Sequence, residues 1–445
     1  MTIKINTQKI FNLSPPSLLA IGFLSFIIIG TLLLKLPIAN KGNLSWMDAL
    51  FTATSAVTIT GLSVVNLNES FNHLGQVIIL LLIQTGGLGF MTFAILAALS
   101  LAPKLGLKQQ MMAQDSLGQT SLSKVTFVAK GVVIYTLFFE LIGVIILSTS
   151  FIPIYGFDRG LYYSIFYSIS AFNNAGFSLF NNSLMNFQGH YLICLTISTL
   201  YTLGGIGFLV LIDIKQNKRW SKLTPNSKLI LSTIAILNVV AFILIWLLEA
   251  NNPLTLGAMS TGEQAMNAWF QATVPRSSGF NTIDTGAMEH STTLLTMLLM
   301  FIGGGSASTA GGIKVTTFAL LAFVIWAEIR GDRDVNMFGR RISEDSQRQA
   351  LTVALVGVGV LAAAVLALMT LGETGLTAAA FEAVSALSTV GLSTGVTTAE
   401  GSPTRIILIM LMFIGRLGPV VLVAAIVLRT RPNLYRFPTE SPLIG

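Results

Sequence analysis

Four glycines recur in the same local pattern along the chain. In each copy an aromatic residue comes first, a hydroxyl residue follows four places later, and the glycine comes six places after that. The copies are Phe51, Ser55 and Gly61; Phe166, Ser170 and Gly176; Trp269, Thr273 and Gly279; and Phe381, Ser385 and Gly391. The glycines are 115, 103 and 112 residues apart. A period of this length corresponds to a whole structural unit, so the sequence predicts four internal repeats.

The chemistry that suits this pattern is the binding of a dehydrated cation. Such an ion needs a ring of oxygens in place of its water, and backbone carbonyls supply one where the chain bends so that they point inward. Glycine tolerates the required backbone angles, and the C-terminal end of a short helix before it directs a negative dipole end toward the ion. The alternative interpretation is that the four glycines only end helices as ordinary C-caps. Four copies in the same register disfavour this interpretation.

The candidate filter stretches are residues 59–62, 174–177, 277–280 and 389–392. Within them, the candidate ion-binding residues are Thr60, Gly61, Leu62, Asn174, Ala175, Gly176, Phe177, Ser278, Gly279, Phe280, Val390, Gly391 and Leu392.

The elements that must position these loops are membrane helices. Hydrophobic residues make up 53% of the chain and charged residues 10%, against roughly 25% charged in soluble domains. Many apolar runs reach the ~20 residues that cross a bilayer. Each repeat contains a long apolar segment, a short segment that ends near the glycine, and a second apolar segment interrupted by glycines. The sequence therefore predicts an all-α membrane protein in which four helix–pore-loop–helix repeats form a pseudo-fourfold ring.

This organisation implies eight spanning helices and four re-entrant half-helices. The half-helices are too short to span, and such segments persist at membrane depth only inside protein or beside water. Their predicted ranges are 45–58, 162–173, 264–275 and 377–388, and the predicted repeats are 1–125, 126–228, 229–349 and 350–445.

Charge supports one orientation, with both termini in the cytoplasm. Nineteen of the 26 Lys and Arg residues then fall on the inner side, as the positive-inside rule requires. This bias explains the net charge of +7 without nucleic-acid binding. Acidic residues gather on the outer side, where they would concentrate cations at a pore mouth, although ordinary solvated loops remain the alternative.

Other function classes lack the residues they need. A membrane-embedded enzyme needs clustered ionisable groups inside its spans, and here Glu140 and Asp213 are the main spanning carboxylates. The three histidines are scattered, and no nucleotide-binding motif stands between a strand and a helix. A secondary transporter of organic solutes often has inverted repeats, whereas these four repeats share one topology. The sequence therefore predicts neither an enzyme nor a bound cofactor.

The second apolar segment of each repeat carries a further motif. It reads GGLG from Gly86, GGIG from Gly204, GGGS from Gly303 and GRLG from Gly415. In the third repeat it continues as GGGSASTAGGIK, and five glycines at a cost of ~1 kcal/mol each would not hold a helix. We expect a non-helical loop that partly blocks the pore, with a glycine-rich packing face as the alternative.

Arg416 replaces the second glycine of this motif in the fourth repeat. At this depth it is either an electrostatic barrier, an anchor for the loop, or half of a buried ion pair. A separate pairing of Arg276 with Glu382 is also possible, because both fall in or beside half-helices. The candidate gate residues are Gly303, Gly304, Gly305, Ser306, Ala307, Ser308, Thr309, Ala310, Gly311, Gly312, Lys314 and Arg416.

Four glycine loops and one gating run in a single chain resemble the Trk/Ktr/HKT superfamily of cation transporters. The resemblance covers nearly the whole chain, and the length is more like the Ktr membrane subunit than the longer Trk type. In that family the four glycines go with K⁺ and a serine in the first repeat goes with Na⁺, so the resemblance implies K⁺ transport. It also implies that the loop is a gate, and that the protein is a homodimer on a cytoplasmic ring of KtrA-like nucleotide-binding regulatory subunits.

The function expected from this resemblance is that of a K⁺-translocating pore subunit in the plasma membrane, surrounded by lipid. Na⁺ dependence stays open, and a transporter of Na⁺ or another monovalent cation with the same fold is the alternative. Candidate docking surfaces for the regulatory ring are residues 215–228, residues 328–349 and the C-terminal tail.

Overall fold

The structure is a computed structural model that describes residues 15–42, 44–89, 122–306, 308–372, 374–399 and 401–418. Ala307 of the candidate gate, both chain termini, and the predicted helical stretches beyond residues 89 and 418 lie outside these ranges. Fourteen helices of ten or more residues form most of the described chain. They are α1 (Pro15–Lys35), α2 (Trp46–Val57), α3 (His73–Gly87), α4 (Leu122–Tyr155), α5 (Phe157–Phe172), α6 (Tyr191–Ile206), α7 (Phe208–Asn217), α8 (Pro225–Glu249), α9 (Thr261–Thr273), α10 (His290–Phe301), α11 (Val315–Arg330), α12 (Glu344–Gly372), α13 (Leu376–Leu387) and α14 (Ser402–Leu417).

Shorter elements connect these helices. The described residues include two single-turn α-helices, three 3₁₀ helices and one hairpin. They are Leu67–Ser70, Val396–Ala399, Met185–Phe187, Trp220–Lys222, Thr285–Ala287, β1 (Asn336–Met337) and β2 (Arg340–Arg341).

The hairpin corrects one detail of an otherwise helical prediction. Strands β1 and β2 are antiparallel, with Asn336 opposite Arg341. Arg341 also forms an ion pair of 3.0 Å with Asp334 at the surface. The segment 328–349, predicted as a solvated or docking loop, therefore contains a small β-hairpin. The loop also ends before residue 349, because α12 begins at Glu344.

Three helices of the described chain are long and apolar enough to cross a membrane. They are Lys130–Tyr155, Pro225–Glu249 and Glu344–Gly372. Large apolar side chains such as Leu137, Leu247 and Leu355 are exposed on them, as expected for surfaces that face lipid. The full set of eight spans stays a prediction.

The second apolar segment of repeat two is not the continuous span that the sequence predicts. It is divided into α6 and α7, which meet at an angle of 90°. Gly207 stands at the break with a φ of 107°, a conformation that glycine adopts without a Cβ clash. The composition of this segment is that of one continuous apolar helix, but the chain bends at Gly207, the last glycine of the GGIG motif.

The four predicted short segments are the helices α2, α5, α9 and α13. At 1.5 Å per residue they are about 18–24 Å long, which is less than the ~30 Å hydrocarbon core. Helix α2 begins with a capping box, in which Ser45 Oγ accepts from the Asp48 N–H at 3.0 Å and the Asp48 carboxylate accepts from the Ser45 N–H. Most residues toward their C-terminal ends are buried, so these ends meet in the protein interior.

An ion pair joins the first and fourth repeats. Arg405 of α14 donates to Asp48 of α2 at 2.9 Å, and both side chains are mostly buried. Helix α14 of the last predicted repeat therefore lies beside α2 of the first.

Candidate ion-binding site

The four repeated glycines contact one another in cyclic order. A Cβ atom added to Gly61 would lie 3.2 Å from the Cα of Gly176, and one on Gly176 would lie 2.8 Å from the Cα of Gly279. A Cβ on Gly279 would lie 3.3 Å from the Cα of Gly391, and one on Gly391 would lie 3.0 Å from the Cα of Gly61. Four segments separated by more than one hundred residues thus close into a ring that has no room for side chains.

Four backbone carbonyls lie at the level of this ring. Each belongs to the residue before a glycine and faces the glycine of the neighbouring loop. The carbonyl oxygen of Ala175 is 2.5 Å from the Cβ position of Gly61, and that of Ser278 is 2.7 Å from the same position on Gly176. The carbonyls of Val390 and Thr60 stand in the same relation to Gly279 and Gly391. Any larger residue at a glycine would displace a carbonyl of the ring.

The backbone of each loop alternates in handedness. The glycines have φ values of 67° to 91°, and the residue two places before each glycine also has positive φ, while the residue between them does not. Those earlier residues are Ile59 (51°), Asn174 (58°), Ser277 (69°) and Thr389 (49°). Left-handed backbone is unusual for a β-branched residue, and such strain persists where surrounding contacts enforce it.

The hydroxyl residue of the repeated pattern supplies some of those contacts. Ser55 Oγ accepts from the Gly61 N–H at 3.1 Å, and Ser385 Oγ accepts from the Gly391 N–H at 3.1 Å. In repeat two, Ser170 Oγ instead donates to the Phe177 carbonyl at 2.9 Å. In these three repeats the six-residue spacing therefore lets a hydroxyl group in the last turns of the half-helix form a hydrogen bond with the bent loop, at the glycine or at the residue after it.

A cavity of about 320 Å³ lies against the ring. All four glycines line it, and so do the polar side chains two places after each glycine, which are Ser63, Ser178, Asn281 and Ser393. The described residues that line the cavity carry no charge. The nearby Glu69 carboxylate accepts from Asn66 and Asn181 at 3.1 and 3.0 Å, so this acidic group lies behind the lining.

Residues 303–306 and 308–314 form irregular backbone between α10 and α11, as the glycine content predicts. The loop contacts the stretches that precede the ring glycines. Thr309 donates to Asn174 Oδ1 at 3.0 Å, and the Gly311 N–H donates to Ser277 Oγ at 3.1 Å. A Cβ on Gly311 would collide with Thr389 Oγ1. Because the cavity contacts the glycines and the residues after them, the ring separates the cavity from this loop.

Arg416 contacts the loop directly. One guanidinium nitrogen donates to the Thr309 carbonyl at 2.5 Å, and the other donates to the Gly86 carbonyl. Lys314 donates to the Ala310 carbonyl at 2.5 Å. Within the described chain, Arg416 forms no ion pair, so of its three predicted roles the contacts match the loop anchor.

The suggested pairing of Arg276 with Glu382 is wrong. The Glu382 carboxylate accepts from Ser393, Thr394 and Thr397 of its own repeat, because α13 turns this side chain toward the loop after the glycine. Arg276 is buried elsewhere, beside Tyr201 and Gly304.

A buried polar cluster behind the second loop was not anticipated. Asn173, next to Asn174, donates to Glu140 Oε1 and to Gln84 Oε1, each at 2.8 Å. Gln84 donates to Glu140 Oε2 at 3.3 Å. The only sequence signal was the presence of a carboxylate within a spanning segment, which marks a functional or structural polar site but does not reveal its partners.

Residues 18–434 match the TrkH family model, which is described as a cation transport protein. The chain therefore belongs to this family of cation transporters, and the resemblance drawn from the sequence is confirmed. It is 42% identical over 432 residues to Ktr system potassium uptake protein B of Bacillus subtilis, covering 97% of each chain. It is 37% identical over 442 residues to potassium/sodium uptake protein NtpJ of Enterococcus hirae, covering 97% of this chain and 98% of that one.

A solved structure has the same fold. The crystal structure of the potassium transporter TrkH from Vibrio parahaemolyticus aligns with a TM-score of 0.68 and covers 92% of this chain and 85% of that chain. At 22% sequence identity, this match establishes the fold alone.

Proposed function

We propose that this protein is the K⁺-translocating pore subunit of a K⁺ uptake system. The observation that carries the proposal is the closed ring of Gly61, Gly176, Gly279 and Gly391, with one carbonyl of each loop at its level. Carbonyl oxygens in such a ring replace the hydration shell of K⁺. The relatives named as potassium uptake proteins support the choice of ion.

The four half-helices add electrostatic stabilisation. Helices α2, α5, α9 and α13 each end four to six residues before a ring glycine, so their negative dipole ends lie close to the ion position. We assign one half-helix and its flanking helices to each repeat, which gives eight spans and a pseudo-fourfold axis through the ring, with both termini cytoplasmic.

The loop of residues 303–314 acts as the gate. It lies against the ring on the side opposite the cavity, where it obstructs the path of an ion that leaves the filter. Arg416 holds the loop through the Thr309 carbonyl, and because that bond is charge-assisted it is stronger than a neutral one. Gating then consists of moving this loop away from Asn174 and Ser277.

A cytoplasmic partner controls the gate. The relatives are named as components of a Ktr system, and we assign to this chain a homodimeric arrangement on a KtrA-like nucleotide-binding ring. The hairpin of β1 and β2, with the exposed Arg340 and Arg341, and the basic segment 215–228 are the described parts of the docking surface.

A second candidate function is transport that involves Na⁺. The relative named potassium/sodium uptake protein favours it, either as Na⁺ dependence of K⁺ uptake or as Na⁺ passage. The four ring glycines favour K⁺ as the transported ion.

The test is K⁺ uptake by cells that lack other K⁺ uptake systems. Gly279→Ser places a side chain 2.7 Å from the Val390 carbonyl and is expected to raise the KM for K⁺ about tenfold, equivalent to ~1.4 kcal/mol of lost binding. Gly359→Ser is the matched control, since a Cβ there meets nothing within 4 Å. Unchanged uptake by Gly279→Ser, with normal protein in the membrane, would refute the filter assignment.

A further inference from the structure

Each repeat has a polar residue that lines the cavity two places after the ring glycine. The residue eleven places before it lies in the half-helix, so the same pair of positions can be compared in all four repeats. The four pairs are Thr52 with Ser63, Tyr167 with Ser178, Phe270 with Asn281, and Glu382 with Ser393. The first member of every pair is buried, with 0 to 1% of its surface exposed. Since the register is the same in all four repeats, the residue types decide whether the half-helix bonds to the loop that follows its glycine.

In repeat two the half-helix bonds strongly to this loop. The Tyr167 and Ser178 hydroxyls are 2.6 Å apart, and the N–H groups of Leu179 and Phe180 donate to the Tyr167 oxygen at 3.1 and 3.2 Å. The Tyr167 ring also stacks on Phe180, with centroids 5.1 Å apart. One buried phenol therefore holds three consecutive residues just beyond Phe177.

Repeat four reaches the same result with a different residue. Glu382 Oε1 accepts from the Ser393 hydroxyl at 2.7 Å and from the Thr394 N–H at 3.0 Å. The other carboxylate oxygen accepts from the Thr397 hydroxyl. The buried carboxylate thus holds the loop beyond Gly391 through several hydrogen bonds.

Repeat one lacks this connection. Thr52 Oγ1 has no hydrogen-bond partner among the described residues. Ser63, its partner by register, instead donates to the Val65 carbonyl within its own loop at 2.5 Å.

Repeat three lacks it as well, because Phe270 has no polar side-chain atom. Asn281 instead donates to the Ile283 carbonyl at 3.0 Å, and its backbone N–H donates to Ser183 Oγ of repeat two at 3.2 Å. At this register position the third loop is therefore attached to a neighbouring loop and not to Phe270 of its own half-helix.

We propose that Tyr167 and Glu382 are positioning residues that set the ion selectivity of the ring. Gly176 and Gly391, which follow these two residues in their repeats, are not neighbours in the cyclic order, so the two loops lie opposite each other. Fixing both loops to their half-helices fixes the separation of two opposing carbonyls, and with it the size of ion that the ring coordinates best. This inference rests on the proposed filter function.

The experiment measures K⁺ uptake and its competition by Na⁺ for the full-length protein in cells. Tyr167→Phe removes only the hydroxyl and is expected to lower the preference for K⁺ over Na⁺ about fivefold, and Glu382→Gln, which loses charged hydrogen bonds, about tenfold or more. Thr52→Val changes the matching position in repeat one, where the structure has no such bond, and leaves the preference within about twofold, since no hydrogen bond is lost.

Two further variants separate position from charge. Glu382→Asp keeps the charge but shortens the reach, so it too lowers the preference if geometry matters. Asp158→Asn removes an exposed carboxylate at the start of α5 and leaves the preference unchanged. If Tyr167→Phe or Glu382→Gln does not accumulate in the membrane, Ser178→Ala and Ser393→Ala each remove one of these bonds from the loop side, and a smaller loss of preference in the same direction is expected.

The outcomes are distinguishable from failure of the filter itself. Normal K⁺ preference in both Tyr167→Phe and Glu382→Gln, or an equal loss in Thr52→Val, overturns the positioning role. If Gly279→Ser still impairs K⁺ uptake in that case, the filter stands and only this inference falls. If Gly279→Ser has no effect either, the proposed function falls with it.

Discussion

The ring and the loop beside it are built in opposite ways. The ring takes one short segment from each repeat, and the same glycine contacts recur four times. The loop of residues 303–314 belongs to the third repeat, and among the described residues it contacts the stretches of the second and fourth repeats through Asn174 and Thr389. An ion on an axis needs equivalent ligands from all sides, whereas an obstruction is needed only once.

The glycine motif after each half-helix shows where the symmetry ends. In repeats one, two and four its first glycine packs directly on a carbonyl at the C-terminal end of the half-helix: Gly86 on Val57, Gly204 on Phe172, and Gly415 on Leu387. In repeat three Gly303 packs on the Gly311 carbonyl of the loop instead. The first glycine of the motif therefore packs on the half-helix in repeats one, two and four, and on the loop in repeat three.

The largest expected effect is on folding, and it tests the packing of this glycine on the half-helix. Gly204→Ala places a methyl group against the Phe172 carbonyl, and such overpacking costs ~1–3 kcal/mol or more. We expect a marked loss of folded protein, measured as thermal stability in detergent. Gly359→Ala, in open surroundings on α12, is the control and should match the unaltered protein; equal stability of both variants would contradict the packing role.

The next effect sharpens the gate side of the comparison. Shortening residues 304–311 removes the obstruction, and we expect the maximal K⁺ flux to rise about tenfold, as for a barrier lowered by ~1.4 kcal/mol. Flux into proteoliposomes at saturating K⁺ measures this change, while the KM for K⁺ should stay within about twofold because the ring is intact. A flux equal to that of the full-length loop would show that the loop does not gate.

A smaller effect is expected from the anchor of the loop. Arg416→Gln loses the charge-assisted bonds to Thr309 and Gly86, which are worth ~1.5–3 kcal/mol each, but the loop keeps its bonds to Asn174 and Ser277. We expect flux to rise about threefold, which corresponds to a barrier lowered by less than ~1 kcal/mol.

The control for the anchor is Arg416→Lys. Lysine keeps the positive charge, but its compact ammonium group does not reproduce the planar guanidinium that bonds two carbonyls at once. We therefore expect a flux between those of the unaltered protein and Arg416→Gln. If Arg416→Gln abolishes flux in protein that is folded and in the membrane, the side chain does not restrain the loop.

The four short helices could be located from the sequence because their signals are local. The predicted half-helices end within two residues of Val57, Phe172, Thr273 and Leu387, since the glycine that comes after each helix marks its end. The predicted start of α5, at position 162, is five residues too late. Gly156, with a φ of 81°, lets the chain leave α4 and begin the next helix at once, and composition alone does not show such a turn.

Contacts between distant residues could not be predicted in the same way. Ile59 and Thr389 adopt left-handed backbone although β-branched residues disfavour it, so their residue types point away from the observed conformation. The partners of Glu382 and Glu140 depend on which way each helix faces. A sequence gives the presence of such groups but not the distances between them.

The most direct test is to determine the structure with Rb⁺ in place of K⁺ and to locate the ion by its anomalous scattering. The account predicts Rb⁺ on the axis of the ring, coordinated by the carbonyls of Thr60, Ala175, Ser278 and Val390. A well-ordered structure with no ion at that centre, or with Rb⁺ bound only elsewhere, would contradict it.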